Sequence, residues 1–223
     1  MISSTKEQTE NFKELNNILG WGINEDSIPE VPYFEPNSHT EALQLCVQFL
    51  KSEKYDVEYN FNRHIQAIEF QLHRRNCNFS LAISLKADDH HLKQAINNPT
   101  NAELYWVGFD YYANLRLDTD SSIHEILYND TRQNLAGTEI LDAMMLSPNI
   151  MISIDSKELP ACYLGGYRVI YPELPNHILD WSPIYWRYTP CAIWLPDDNE
   201  LRLDCSYEDF NGGWWTLPTR RLL

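Results

Sequence analysis

The chain has 223 residues, of which 17 are basic and 32 are acidic, so its formal net charge at neutral pH is -15. A chain of this length buries about 70% of the surface that its unfolded form exposes, and it needs no disulfide or metal ion to fold. The negative charge excludes nucleic acid and an anionic membrane surface as partners, because both repel it. It favours a basic protein partner, or it serves solubility alone.

The N-terminal segment MISSTKEQTENFKELNN contains neither the basic stretch nor the apolar stretch of a secretory signal peptide. No apolar run in the chain approaches the roughly 18 residues that a membrane-spanning helix requires. The five cysteines are scattered and include no CxxC pair, which is typical of reduced thiols rather than of a disulfide framework. These features together predict a cytoplasmic protein.

The first predicted element is a helix over residues 4–19 with Ser3 or Ser4 as its N-cap. Glu7 stands three residues after Ser4, which is the spacing of a capping box. The segment over residues 21–36 combines three prolines with several acids. We expect it to be extended and to lie partly at the surface.

A second capping box, made of Ser38 and Glu41, predicts a helix that continues to Leu50 along an apolar face. The pattern then changes to an alternation of apolar and polar residues. This alternation predicts an antiparallel meander of strands over residues 55–85, with short connections that are rich in asparagine.

The middle of the chain combines short elements of both kinds. Asp88 or Asp89 is expected to cap a short helix that contains Leu92, and residues 104–109 and 113–117 are expected to form strands. The other predicted elements are a helix that begins at Ser121 or Ser122, a helix that holds Ile140 to Met145 and ends at Ser147-Pro148, and a strand at Ile150–Ile154.

The C-terminal part is rich in strand and turn signals. Residues 161–171 read as two strand halves around Gly165-Gly166, a pair that suits a two-residue hairpin. Most of the seven tryptophans lie over residues 181–215, where the first half is expected in the core and the acidic second half at the surface. Further strands are predicted at Ile184–Tyr188, Cys191–Leu195 and Leu201–Tyr207, with a turn at Pro196–Asn199.

These elements predict an α+β fold. Its largely antiparallel sheet is expected to contain the meander at residues 55–85 and the C-terminal strands at residues 161–217, packed with several helices. We predict a single domain over residues 1–223, with alternative points of division near residues 99–101 and 147–150.

No motif with a known catalytic mechanism is present: the chain lacks GxSxG, a glycine-rich phosphate loop and a cysteine-protease frame. His90 and His91 would point about 100 degrees apart on a helix and cannot share a metal ion as an i, i+4 pair does. The acids of residues 118–125 lack the glycine of a calcium loop, and those of residues 197–200 are typical of a turn. We expect no metal ion and no cofactor. A small hydrolase or transferase with an unrecognised Cys/His or carboxylate site is the alternative.

In general character the chain resembles the immunity proteins that bacteria keep against antibacterial toxins, which are soluble, acidic, compact and without catalytic signatures. The resemblance implies an inhibitor that occludes the basic active-site cleft of a toxin or effector, where charge speeds association and aromatic anchors slow dissociation.

Three candidate binding faces follow, each expected to place its acids beside exposed aromatic residues. One contains the acids of the N-terminal segment. The other two contain Asp110, Tyr111, Tyr112, Asp118, Asp120 and Glu125, and Glu208, Asp209, Trp214 and Trp215.

Overall fold

The computed structural model describes residues 2–81, 91–94, 102–111, 136–153, 161–170, 187–207, 215–216 and 218–223. Within these residues helices and largely antiparallel strands occur together, which confirms the predicted α+β fold class. The helices are α1 (Thr5–Ile18), α2 (Val57–His73) and α3 (Glu139–Leu146). The strands are β1 (Glu41–Val47), β2 (Leu50–Lys51), β3 (Lys54–Tyr55), β4 (Asn78–Leu81), β5 (His91–Gln94), β6 (Leu104–Asp110), β7 (Ala161–Tyr163), β8 (Tyr167–Ile170), β9 (Arg187–Leu195), β10 (Glu200–Tyr207), β11 (Trp215–Thr216) and β12 (Thr219–Leu222).

The described strands form two sheets and one small hairpin. Sheet 1 has the order β1-β6-β12, and both of its pairs are antiparallel. Sheet 2 is built around β9, which pairs antiparallel with β10 on one side and with β7 and β8 on the other. β4 and β11 join sheet 2 through parallel pairs, β5 joins it through β8, and β2 pairs with β3. Buried apolar residues from all three helices and both sheets form one contiguous core.

The helix predicted over residues 4–19 is confirmed as α1. The Ser4 hydroxyl accepts a hydrogen bond from the Glu7 amide at 3.3 Å, and the Glu7 carboxylate accepts one from the Ser4 amide at 2.8 Å, so the capping box is complete. Phe12 and Leu15 on its apolar face are fully buried. None of the helices among the described residues is long and apolar enough to cross a membrane.

The helix predicted after Ser38 is wrong, because this part of the chain forms β1. The Ser38 hydroxyl does accept a hydrogen bond from the Glu41 amide at 3.1 Å, so the local capping interaction forms although no helix follows it. The residues from Leu45 to Val47 are fully buried, and they alternate between the two faces of a strand that pairs with β6. A short apolar run of this kind does not distinguish a buried strand from a helix.

The meander predicted at residues 55–85 is wrong in its central part, which is helix α2. Asp56 caps this helix by accepting a hydrogen bond from the Tyr59 amide at 2.8 Å. The alternation of the sequence coincides with a helical spacing, because apolar residues three and four positions apart are buried on one face of α2. Those residues are Phe61, Ile65, Ile68 and Leu72. The flanks of the range do contain strands, β3 and β4.

Two shorter predictions are corrected and several others are confirmed. The expected helix at Leu92 is strand β5 over the residues described there. The strand expected to begin at Ile150 is part of a 3-10 helix over Pro148–Ser153. Both patterns are short, so pairing and packing with distant residues decide the outcome. β6, α3, β10, the part of β9 at Cys191–Leu195 and the turn at Pro196–Asn199 agree with prediction. The elements predicted at residues 113–117 and after Ser121 or Ser122 lie outside the described residues.

The pair Gly165-Gly166 does not turn a hairpin. β7 and β8 run in the same direction along successive parts of β9, so the chain continues past the glycines instead of reversing. A Cβ atom at residue 166 would lie 2.1 Å from the Cα atom of Gly137. Gly166 is therefore required by the close approach of two backbones.

Substitution of Gly166 by alanine is expected to lower the free energy of unfolding by about 1–3 kcal/mol, because the new methyl group overlaps the backbone at Gly137. Urea unfolding of the purified variant measures this loss. Gly20→Ala is the control: its Cβ would meet no atom within 4 Å, and only its φ of +60° opposes the change. Wild-type stability in Gly166→Ala would show that the two backbones are farther apart.

Candidate protein-binding surface and buried polar cluster

Residues 29–36, with the sequence PEVPYFEP, form a segment without helix, strand or turn that we call the proline arm. Its two ends are fixed to sheet 1. The Trp106 indole N–H donates a hydrogen bond to the Pro29 carbonyl at 3.0 Å, and Arg221 Nη2 donates one to the Glu35 carbonyl at 2.7 Å. Three of its eight residues are prolines with restricted φ angles, so the arm has few alternative backbone conformations.

The centre of the proline arm is held by Phe34. Its ring lies so close to Gly108 of β6 that a Cβ atom there would be 2.7 Å from Phe34 Cε2. The Arg221 guanidinium lies over the Phe34 ring, 4.9 Å from its centroid, in a cation–π contact. Arg221 Nε is itself 3.1 Å from the Glu41 carboxylate, whose side chain is largely buried. The arm is thus supported along its length.

The outward side of the proline arm carries apolar and acidic residues together. Tyr33 is 85% exposed and Val31 is 53% exposed. Glu30 and Glu35 are exposed beside them, and neither carboxylate forms an ion pair within the described parts of the chain. The Tyr33 hydroxyl donates a hydrogen bond to the Glu35 carboxylate, which raises the pKa of Tyr33. The arm therefore carries two carboxylates beside an exposed aromatic residue.

The structure brings one of the predicted site residues close to the arm. The Asp110 carboxylate accepts hydrogen bonds from Ser38 at 2.8 Å and from Thr40 at 2.6 Å, so it holds the loop that follows the arm. Tyr111 packs partly buried against the core, and burial raises its pKa. Trp215 lies in β11, where its backbone pairs with β7. The other predicted site residues lie outside the described residues: Tyr112, Asp118, Asp120, Glu125, Glu208, Asp209 and Trp214.

Sequence reasoning placed the acids of the N-terminal segment in a candidate face and predicted that residues 21–36 are extended and partly at the surface, but it did not select Tyr33 or Val31. A usable signal was present, since both stand between prolines in an acidic segment without a helical pattern. The contact between Phe34 and Gly108 joins residues far apart in the chain, and no local pattern reveals it.

A second feature is the buried polar cluster, defined as Asn60, His64, Glu139, Asp142 and Arg220. All five residues are buried, and the side chains of His64 and Asp142 are 0% exposed. His64 Nε2 lies 2.9 Å from Asp142 Oδ1, and His64 Nδ1 lies 2.8 Å from the Asn60 carbonyl. A carbonyl only accepts, so Nδ1 carries a proton, and the contact with Asp142 contains a second proton.

The ionisable groups of this cluster form two pairs, each of a basic and an acidic side chain: His64 with Asp142, and Arg220 with Glu139. Arg220 of β12 donates a hydrogen bond to the Glu139 carboxylate of α3, and both side chains are almost fully buried. Burial raises the pKa of Asp142 to about 6, whereas the interactions with His64 and with the Val47 amide lower it. Each ionisable side chain of this cluster thus has a hydrogen-bonded partner, as buried ionisable groups require.

No strand among the described residues pairs with the outer edge of β1, and buried side chains bind its backbone there instead. Asp142 accepts a hydrogen bond from the Val47 amide at 3.0 Å, and Asn60 accepts one from the Phe49 amide at 2.8 Å. Gln8 of α1 completes the edge by pairing with the Leu43 carbonyl and the Leu45 amide, each at 2.8 Å. Side chains from three helices therefore satisfy backbone groups that would otherwise be buried without partners.

Replacement of Gln8 by leucine is expected to lower the free energy of unfolding by about 1–3 kcal/mol, because two backbone groups of β1 lose their partner. Urea unfolding monitored by tryptophan fluorescence measures the loss. Glu10→Leu is the matched control on the same helix, since its side chain is 62% exposed. Equal stability of the two variants would contradict the role of Gln8.

The chemistry of the cluster, and of Cys46 beside it, does not fit an exposed catalytic site. Cys46 is fully buried, and burial, followed by the charges of Asp142 and Glu139, raises the pKa of its thiol well above the usual value. The neutral thiol is a poor nucleophile. Among the described residues, no group of histidine, cysteine, aspartate and glutamate side chains has an arrangement that could hold a metal ion. The geometry supports a structural role for His64 and Asp142.

Comparisons of the chain with protein-family models, with curated proteins and with solved structures found no match.

Proposed function

We propose that the chain is an acidic protein-binding module, of the kind represented by immunity proteins and antitoxins, which inhibits a basic toxin or effector by covering its active-site cleft. One observation carries this proposal. The proline arm displays Tyr33 and Val31 among acids that lack ion pairs within the described residues, and a fixed support holds it. We further propose that the protein is bacterial and acts in the cytoplasm.

The proposed mechanism separates the roles of charge and apolar contact. The net charge of -15 attracts a basic partner and raises the association rate, an effect that salt reduces. Tyrosine supplies a large, rigid contact area and is enriched among the residues that dominate binding energy. Charge therefore speeds the encounter, and the apolar side chains of the arm slow dissociation.

The alternative of a small hydrolase or transferase has less support. Its best candidate group is the hydrogen-bonded pair of His64 and Asp142, whose side chains are both fully buried. The pair is already occupied by contacts with Asn60 and with the Val47 amide. An enzyme would need its acid or base within reach of a substrate.

Affinity capture with the full-length protein from its native host, followed by mass spectrometry and purification of the captured protein, tests the proposal. We expect a basic partner whose activity is inhibited. We also expect its affinity to fall about tenfold or more when the salt concentration rises from about 50 to about 300 mM, because exposed charges become screened. Binding that is independent of salt, or a captured protein whose activity is unchanged, would contradict the proposal.

A further inference from the structure

We infer that the partner reads the proline arm as an extended chain, with Val31 and Tyr33 in adjacent apolar pockets of a groove that has lysine or arginine side chains on its rim. This inference rests on the proposed function and specifies the partner's surface. It follows from four properties of the arm: the alternation of its side chains, its prolines, its acids and its support.

Exposed and partly buried side chains alternate along the proline arm from Val31 to Glu35. Val31, Tyr33 and Glu35 are exposed, whereas Pro32 and Phe34 between them are partly buried. In an extended chain, alternate residues project to the same side about 7 Å apart. A partner therefore meets two apolar side chains in succession, followed by a carboxylate.

The prolines decide how such a chain can be recognised. Pro29, Pro32 and Pro36 have no N–H group and cannot donate to a neighbouring strand. Addition of the arm to the edge of a partner's sheet would lose these hydrogen bonds, although that mode is common for extended peptides. Recognition therefore depends on pockets for the exposed side chains rather than on a backbone ladder.

The charges around the arm specify the rim of the groove. Glu30 and Glu35 are exposed on either side of the apolar pair, and Glu35 holds the Tyr33 hydroxyl. A groove with cationic side chains at both positions would pair with the carboxylates while the phenol ring enters its pocket. A neutral or acidic groove would leave both carboxylates unpaired at the interface.

The support of the arm reduces the cost of binding. Phe34 against Gly108 and Arg221 over the Phe34 ring hold the arm on sheet 1 before the partner arrives. A segment ordered in advance loses less conformational entropy on association. The contact at Gly108 is therefore a positioning contact, and it lies on the side of the arm opposite to the exposed side chains.

Titration of the purified captured partner against three variants tests this inference. Tyr33→Ala is expected to weaken binding by about 30-fold or more, and Tyr33→Phe, which keeps the ring, to recover most of that loss. Gly108→Ala changes no exposed side chain of the arm, but its methyl group would lie 2.7 Å from Phe34 Cε2 and 2.9 Å from Glu41 Oε1, so it disturbs the support of the arm, and we expect it to weaken binding by about three- to tenfold. Ile152→Ala, at an exposed apolar residue away from the arm, is the matched control and is expected to bind as the wild type.

The outcomes separate this inference from the proposed function. If a basic partner binds with salt dependence but Tyr33→Ala stays within about twofold of the wild type, the inference is overturned and the proposed function stands. If no basic partner is captured, both are overturned. Circular dichroism of each variant checks that it is folded. Photo-crosslinking from p-benzoylphenylalanine at position 33 is expected to yield partner peptides that contain lysine or arginine beside apolar residues, and peptides without basic residues would contradict the cationic rim.

Discussion

Replacement of Asp142 by alanine is expected to lower the free energy of unfolding by about 3–5 kcal/mol, the usual loss when one member of a buried pair is removed. Both of its hydrogen bonds end on Oδ1, which accepts from the Val47 amide at 3.0 Å and lies 2.9 Å from His64 Nε2. The alanine variant leaves a buried amide and a buried ring nitrogen without a partner. It also removes the hydrogen bonds through which Asp142 joins α3 to β1 and to α2.

Urea unfolding at neutral pH measures this loss, and Asp142→Asn is the matched control. The single amide oxygen of asparagine can still accept from the Val47 amide, but the side chain no longer supplies a carboxylate to His64. We therefore expect a loss between those of the wild type and the alanine variant. If the alanine variant does not fold, the asparagine variant carries the comparison. A loss below about 1 kcal/mol for alanine would show that the pair adds little to stability.

The same carboxylate predicts a pH dependence. Burial raises the pKa of Asp142 from 3.8 to about 6. The folded protein therefore retains this proton at pH values where the unfolded chain has released it. The part of its stability that depends on this retained proton is fully present below about pH 4 and is lost as the pH rises through about 6, whereas the contacts of Oδ1 with the Val47 amide and His64 remain at neutral pH. The loss caused by Asp142→Ala is expected to be greater at about pH 4.5 than at pH 7, and the opposite order would contradict this account.

Replacement of Arg220 by methionine is the second change with a large expected effect, a loss of about 3–5 kcal/mol in the free energy of unfolding. The Glu139 side chain is 0% exposed and accepts a hydrogen bond from Arg220. Without the guanidinium, a carboxylate remains in the interior, close to Asp142, and among the described residues the Gly137 amide still donates a hydrogen bond to it. Methionine fills a similar volume, so lost packing contributes little.

The double variant Glu139→Gln/Arg220→Met tests whether the loss in Arg220→Met comes from the unpaired carboxylate of Glu139. Once both charges are removed, the interior has no uncompensated ion, and we expect the double variant to be more stable than Arg220→Met alone. Urea unfolding of the two single variants and the double variant gives the coupling free energy. Additive losses would show that the two side chains act independently.

Local interactions explain which elements could be predicted from the sequence. Helix α1 was predictable because Ser4 and Glu7 satisfy the first turn within one short segment. The same signal misled at Ser38, where the cap forms but the chain then pairs with β6. For α2 the apolar residues satisfy both a period of two and a helical spacing. Contacts with α3 and sheet 2, which are distant in the chain, select the helix.

The candidate binding surface was predictable only in its general character. The acidic composition favours a basic partner, and the prolines of residues 21–36 predict an extended surface segment. The choice of Tyr33 over the tryptophans of residues 181–215 depends on which side chains are exposed. Trp194, in the half of that stretch that the sequence predicts to be core, is 6% exposed and belongs to the core. Exposure is set by the tertiary arrangement, here by Phe34 against Gly108, and local sequence does not determine it.

Hydrogen–deuterium exchange of the proline arm, with and without the captured partner, tests the central claim most directly. The amides of Glu30, Val31, Tyr33, Phe34 and Glu35 report on the arm, because the prolines between them have none. We predict that these amides exchange more slowly in the complex than in the free protein. Unchanged exchange of the arm in a complex that protects another surface would contradict the claim that the arm is the binding site.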